Sequence, residues 1–145
     1  MIADGCVFCN IVGGEAPASV VYGDDRVVAF MDIQPVNAGH LLVIPRAHAR
    51  GLAALDAELG GRIFQVGMGL AQAVRRSGVR CEGVNLFLAD GEAAGQEVFH
   101  VHLHVIPRFY GDGFGFRFGS GYGRRPAREM LDQLAADIQH AFEEE

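Results

Sequence analysis

Stretches with a two-residue apolar period and stretches with a helical one follow each other along the chain, and their order predicts its elements. VVYGDDRVVAFMDI, residues 20 to 33, reads as two short strands around a turn at Gly23, Asp24 and Asp25. HLLVIPR, residues 40 to 46, is a third strand, nearly all apolar and so expected to be buried on both faces. Leu55, Leu59, Ile63, Val66, Leu70 and Val74 keep helical spacing and predict an amphipathic helix over roughly 53 to 76. Gly60, Gly61, Gly67 and Gly69 weaken that helix by about 1 kcal/mol each relative to alanine, and suit it to close packing on a sheet or a second subunit. GVNLFLAD (83 to 90) is a fourth strand and 99 to 106 a fifth, joined by the loop GEAAGQE. From 109 to 125 glycines alternate with aromatics, a composition that stays mobile unless something orders it. Pro126 suits the first position of a final helix, which carries Leu131, Leu134, Ile138 and Phe142 on one face. Helices around a mainly antiparallel sheet of about five strands make an α+β domain. Its expected parts are a core over 1–108, a Gly/aromatic segment over 109–125, and a C-terminal helix over 126–145 packed on the same domain.

The fifth strand carries the least ordinary pattern, HVHLHVIPR at 100 to 108. A helix would scatter its three imidazoles. A strand puts His100, His102 and His104 on one face and Val101, Leu103 and Val105 on the other. Pro107, with no N–H to donate, is expected to end the ladder.

Composition narrows the class. A chain of 145 residues, half of them apolar and a fifth charged, can build one hydrophobic core without disulfides. The net charge of −6 speaks against a general nucleic-acid or membrane binder, but a few local donors can still hold a small phosphorylated ligand. No apolar run is long enough to span a bilayer and MIADGCVFCN lacks the pattern of a signal peptide, so a cytoplasmic protein is expected. Cys6 and Cys9 have the C-x-x-C spacing of two thiolates on one zinc ion, with a redox pair or two inert thiols as the other readings.

Three readings compete for the histidine face. It has no role, it chelates a metal with a ligand from elsewhere, or one imidazole is a nucleophile. A neutral imidazole nitrogen can attack phosphorus and form a phosphoramidate, provided its other nitrogen is fixed by a hydrogen bond. Donors must then surround the phosphoryl oxygens, and Gly95 with Gln96 supplies backbone N–H groups and an amide side chain. The loop suits this third reading better than the second.

With those residues in view the chain resembles the histidine triad family, whose signature H-φ-H-φ-H-φ-φ (φ apolar) is matched by residues 100 to 106 after Gly95-Gln96. CVFCNI (6 to 11), the segment 20 to 48 and the closing IPR (106 to 108) are similar to the family in order and spacing. The resemblance implies a HIT-like fold, a homodimer, and hydrolase activity on phosphoric anhydrides or phosphoramidates of a purine nucleotide, adenine being the preferred base. Nucleotidyl transfer to a phosphorylated acceptor and a non-catalytic nucleotide-binding scaffold are the alternatives. It implies that His102 is the nucleophile, that His104 and Gln96 contact phosphate, and that the His100 carbonyl accepts the Nδ1 proton of His102. Asp32 would hold the ribose, Phe8, Ile11, Phe30 and Ile33 would line the base pocket, and Gly95, Glu97 and Val98 would complete the substrate contacts. Members with C-x-x-C are similar to galactose-1-phosphate uridylyltransferases, which implies a structural zinc on Cys6, Cys9, His48 and His100, with no metal required for the chemistry. His40 is placed near the site as a supporting residue. Two positions depart from the pattern. Ala89 stands where phosphoramidase-like members carry asparagine, leaving Asn85 or Asp90 as substitutes, and Glu97 stands where a hydroxyl is common. The loop ADGEAAGQE is closer to the fragile histidine triad branch, which acts on diadenosine polyphosphates.

Overall fold

In the computed structural model, which describes residues 5–144, the elements run α1 (Val7–Val12), β1 (Val20–Gly23), β2 (Val27–Met31), β3 (Leu41–Pro45), α2 (Ala57–Arg76), β4 (Gly83–Phe87), β5 (Leu103–Arg108) and α3 (Arg128–Glu143). The described residues fall into two compact units, one ending at Gly113 and the other beginning at Phe114. In the second unit α3 carries its apolar stripe, and the rings of Phe118 and Tyr122 stack with centroids 3.8 Å apart. No described helix is long and apolar enough to cross a membrane.

The five strands form one sheet in the order β1-β2-β3-β5-β4, every neighbouring pair antiparallel. The strand period of two sorts side chains onto its two faces. Val27, Ala29, Leu41, Val43, Leu103 and Val105 pack against Ile63, Val66, Leu70, Ala71 and Val74 of α2. On the opposite face Val28, Phe30, Leu42 and Ile44 meet Phe8 of α1. The apolar reading of β3 therefore holds, since all five of its residues are buried.

Helix α2 starts where Asp56 accepts the Leu59 N–H at 3.1 Å. Its glycines are not equivalent. A Cβ added at Gly67 would lie 2.7 Å from Leu103 Cδ2, so this glycine lets the helix close on β5, whereas at Gly61 nothing lies within 4 Å. Gly61→Ala is expected to stabilise the fold by about 1 kcal/mol through helix propensity. Gly67→Ala should lose that gain by displacing Leu103. Urea denaturation of the two variants checks the contrast, and equal effects would contradict it.

The turn at residues 23 to 25 is tied to α2 through Asp24. One of its carboxylate oxygens accepts the N–H groups of Arg26 and Val27, and the other accepts from Tyr22 and Arg62. These bonds hold the carboxyl well below the usual carboxylate range. Past β5 a second knot forms. Arg108 grips Asp112 through two nitrogens at 2.7 and 2.9 Å and reaches Asn85 Oδ1 at 2.6 Å.

Several boundaries differ from the sequence expectation: α2 begins at Ala57, β4 ends at Phe87, and three further differences involve prolines. Pro107 does not end the strand but lies inside β5, opposite Val84. On its other side the pairing with β3 has already stopped at Val105, and there the Asn37 amide donates to the Pro107 carbonyl at 2.8 Å. The missing N–H therefore has no ladder partner to lose. At the other end β5 begins at Leu103, not at residue 99. The register Val43↔Leu103 places Pro45 opposite Val101. Pro45 cannot donate there, its carbonyl accepts from the His100 ring at 2.8 Å, and the Val101 N–H turns to Ala49 at 2.8 Å. Pro126, likewise, lies just before the Ala127 cap of α3 and not in its first turn.

Candidate active site

The extended segment 100–102 and the start of β5 bring the three histidines together through alternation. His100 is fully buried. Its backbone carbonyl accepts from His102 Nδ1 at 2.7 Å. An acceptor there requires the proton on Nδ1 and leaves a lone pair on His102 Nε2.

A second chain of bonds fixes His104. The Val36 N–H donates to His40 Nδ1 at 3.0 Å, so the His40 proton sits on Nε2. His40 Nε2 then donates to His104 Nδ1 at 2.9 Å, with Asp32 Oδ2 3.4 Å away. His104 must therefore carry its proton on Nε2, as a donor beside the His102 ring, whose centroid is 5.0 Å away. Burial, followed by the charges of His102 and His40, pushes the His104 pKa down to about 4. Burial also lowers that of His40 against the opposing pull of Asp32. At neutral pH both rings are uncharged. Asp32, His40 and His104 converge closely enough to suggest a metal site. The direction of donation argues otherwise, because a metal on His40 Nε2 would place a proton on Nδ1, facing the Val36 N–H.

Because the His104 pKa is depressed in the fold, the unfolded chain binds the extra proton first as pH falls below 6.5. Stability is then full at neutral pH and is lost toward pH 4. His104 is expected to contribute about 2 kcal/mol of destabilisation between pH 7 and pH 5. Denaturant unfolding of wild type and His104→Asn at both pH values isolates this share, and parallel losses would refute it.

Cys6, Cys9, His48 and His100 converge from three separate segments. Cys6 Sγ lies 3.5 Å and Cys9 Sγ 3.6 Å from His100 Nδ1, Cys9 Sγ lies 3.4 Å from His48 Nδ1, and the two Nδ1 atoms are 3.3 Å apart. Tetrahedral zinc with ordinary Zn–S and Zn–N bonds requires S···N of about 3.5 Å and N···N of about 3.3 Å. The donors fit. His100 Nε2 donates to Pro45, so its Nδ1 presents a lone pair, the tautomer a metal ligand needs. Desolvation raises the Cys6 thiol and lowers the His100 imidazole.

The remaining sequence-selected residues are distributed unevenly. Phe8 and Phe30 lie in the apolar cluster under the triad face with Ile11 at its margin, and the Phe8 ring meets the His102 ring edge-on at 5.1 Å. Ile33 stands apart, 94% exposed. Gln96 is buried, and its amide donates to the carbonyls of Arg50 (2.8 Å) and Val98 (3.1 Å) while accepting from Gly91. Its side chain thus braces the loop in which Gly95 takes a φ of +92°. Glu97 is exposed and Ala89 buried. Asn85 Oδ1 is taken by Arg108, and Asp90 Oδ1 caps the Leu52 N–H. Phe87, which the sequence reading passed over, pairs with His104 across the β4–β5 ladder and packs on its ring at 5.6 Å. Only the register of those two strands reveals it.

A five-stranded antiparallel sheet with a long helix behind it and alternate histidines leading into β5 defines a class. The HIT domain matches residues 13–111, and the chain belongs to that family. It is similar to a HIT family protein from Bacillus anthracis, with 41% identity, a TM-score of 0.87, and 96% of this chain and 98% of that one covered. A Zn-bound histidine triad family protein from Mycobacterium smegmatis shares 41% identity over 94% of this chain and 97% of its own, with a TM-score of 0.74. A HIT family hydrolase from Legionella pneumophila shares 38% identity over 70% of this chain and 91% of its own, with a TM-score of 0.63.

Proposed function

We propose that this protein hydrolyses phosphoric anhydrides or phosphoramidates of a purine nucleotide, with adenine preferred, through a covalent nucleotidyl intermediate on His102. The observation that carries the reading is the 2.7 Å bond from His102 Nδ1 to the His100 carbonyl, which aims the Nε2 lone pair outward. His102 Nε2 attacks the α-phosphorus, and an N–P bond forms as the bond to the leaving group breaks. The ring gains positive charge, and the His100 carbonyl stabilises it through the retained Nδ1 proton. The Nε2–H of His104 donates to a phosphoryl oxygen or the leaving atom. Water then breaks the N–P bond, releasing the nucleoside monophosphate and restoring the neutral imidazole.

Cys6, Cys9, His48 and His100 are the residues that would hold zinc, and a cation bound there supplies folding energy and not turnover. The relative from M. smegmatis is zinc-bound, which supports that assignment. The same reading includes a homodimer, for which the edge strand β4 and the groove lined by Met68, Gln72, Val84 and Leu86 leave room.

Intact-protein mass spectrometry after a non-acidic quench tests the intermediate. Wild type and His102→Ala are each mixed with adenosine phosphoramidate or diadenosine tetraphosphate. An adenylyl adduct on wild type alone is the expected result, and the substrate that loads faster identifies the leaving-group class. Turnover of either compound by His102→Ala at the wild-type rate would overturn the reading.

A further inference from the structure

We propose that cation binding and nucleotide binding are thermodynamically linked through helix α1, with Phe8 as the positioning residue that couples them. This rests on the reading that the triad face takes a nucleotide and that the Cys2His2 cluster holds zinc.

Helix α1 has only six residues. An isolated helix below about a dozen residues does not hold itself in water, so its place depends on anchors. One anchor is apolar, where Phe8, Ile11 and Val12 seat against Phe30, Leu42 and Ile44. The other is the thiol pair. Cys6 caps the helix and Cys9 lies in its first turn, and both face imidazoles from distant segments of the chain. Between the two thiols in sequence stands Phe8. Its ring lies edge-on to His102 (5.1 Å, 79°), to His100 (5.8 Å, 80°) and to Phe30 (5.6 Å, 67°). The thiol donors of the cluster and the wall of the nucleophile therefore sit together at the start of one short helix. His100 adds a second tie, its ring facing the thiols while its carbonyl holds His102.

A cation fastens α1 at both thiols and confines Phe8 against the His102 ring. The imidazole then meets its nucleotide already oriented, and less conformational freedom is lost on binding. The coupling runs both ways by necessity. A nucleotide seated on His102 opposes withdrawal of Phe8, and so tightens the equilibrium hold on the cation by the same factor.

The test uses the full-length, zinc-loaded protein. The equilibrium partition of zinc between the protein and graded 4-(2-pyridylazo)resorcinol is read by absorbance, without and with AMP at a concentration shown by calorimetry to saturate. AMP is expected to raise the zinc affinity about fivefold or more, the lower range of measured couplings. Phe8→Leu should keep stoichiometric zinc and measurable AMP affinity, yet the gain in zinc affinity should fall below about twofold. Equal zinc affinities in wild type without AMP and with AMP demonstrably bound would overturn the linkage and leave the hydrolase reading standing. A gain in Phe8→Leu equal to that of wild type would remove Phe8 as the coupling residue. A protein that holds zinc but binds no AMP would overturn the linkage and the nucleotide reading together, whereas one that binds AMP but no zinc would overturn the linkage alone.

Discussion

His102→Ala is expected to lower kcat/KM for a nucleoside phosphoramidate by roughly 10⁴- to 10⁶-fold, the scale on which removal of a covalent nucleophile is felt. That corresponds to about 5 to 8 kcal/mol of lost transition-state stabilisation. The change should be confined to chemistry. His102 lies on the sheet face opposite α2, so the aliphatic cluster under that helix keeps all its contacts. Binding of AMP should persist within about tenfold, since only one contact is removed. His104→Asn removes a donor and not the nucleophile, and should cost roughly 10²- to 10³-fold. Steady-state kinetics on the two variants, with melting temperatures as a control, decide the assignment. If His104→Asn proves the more damaging of the two, His102 is not the attacking group.

The second large effect concerns the metal. Stripping zinc with a chelator, or replacing Cys9 by serine, is expected to lower the melting temperature by about 15 °C or more. Structural zinc in small domains contributes on the order of 10 kcal/mol, and a domain of this size loses roughly 3 °C per kcal/mol. The loss should be local before it is global. None of the four donor residues belongs to the cluster that seats α2, so the sheet and α2 retain their packing while α1 and residues near His48 come loose. Hydrogen exchange should accordingly show lost protection over 6–12 and 46–50 while residues 63–74 stay protected. A melting temperature indifferent to the chelator would show that the four donors hold no structural cation.

Much of this architecture can be read from the sequence because its signals are local. The turn-bounded strands of 20–33, the apolar run of β3 and the 3.6-residue period of α2 are signals of this kind, and the structure forms the strands and the helix they announce. The histidine face followed from the strand period of two. What escaped depends on partners distant in the chain. Pro107 was expected to stop the ladder, but whether a missing N–H matters depends on which neighbour it faces, and there the neighbour is Asn37. The true start of β5 is dictated by another proline, Pro45, on the adjacent strand. The tautomer of His104 depends on Val36, through His40. Gln96 was selected for its amide, but nothing local to it announces that Arg50 and Val98 would engage both its hydrogens. Ile33, which the family resemblance places in the base pocket, stands exposed in the bend after β2.

The alternation of residues 100 to 105 has a consequence for how this protein can change. His102 and His104 face one side of the sheet, while Leu103 and Val105 face the other and are buried under α2. One residue inserted or deleted within this stretch would exchange the two sets, driving imidazoles among aliphatic side chains and setting leucine and valine where the donors stand. Substitutions here can be graded, some mild and some severe, but a change of length cannot. The segment behaves as a phase, and any descendant that keeps the sheet must also keep the count.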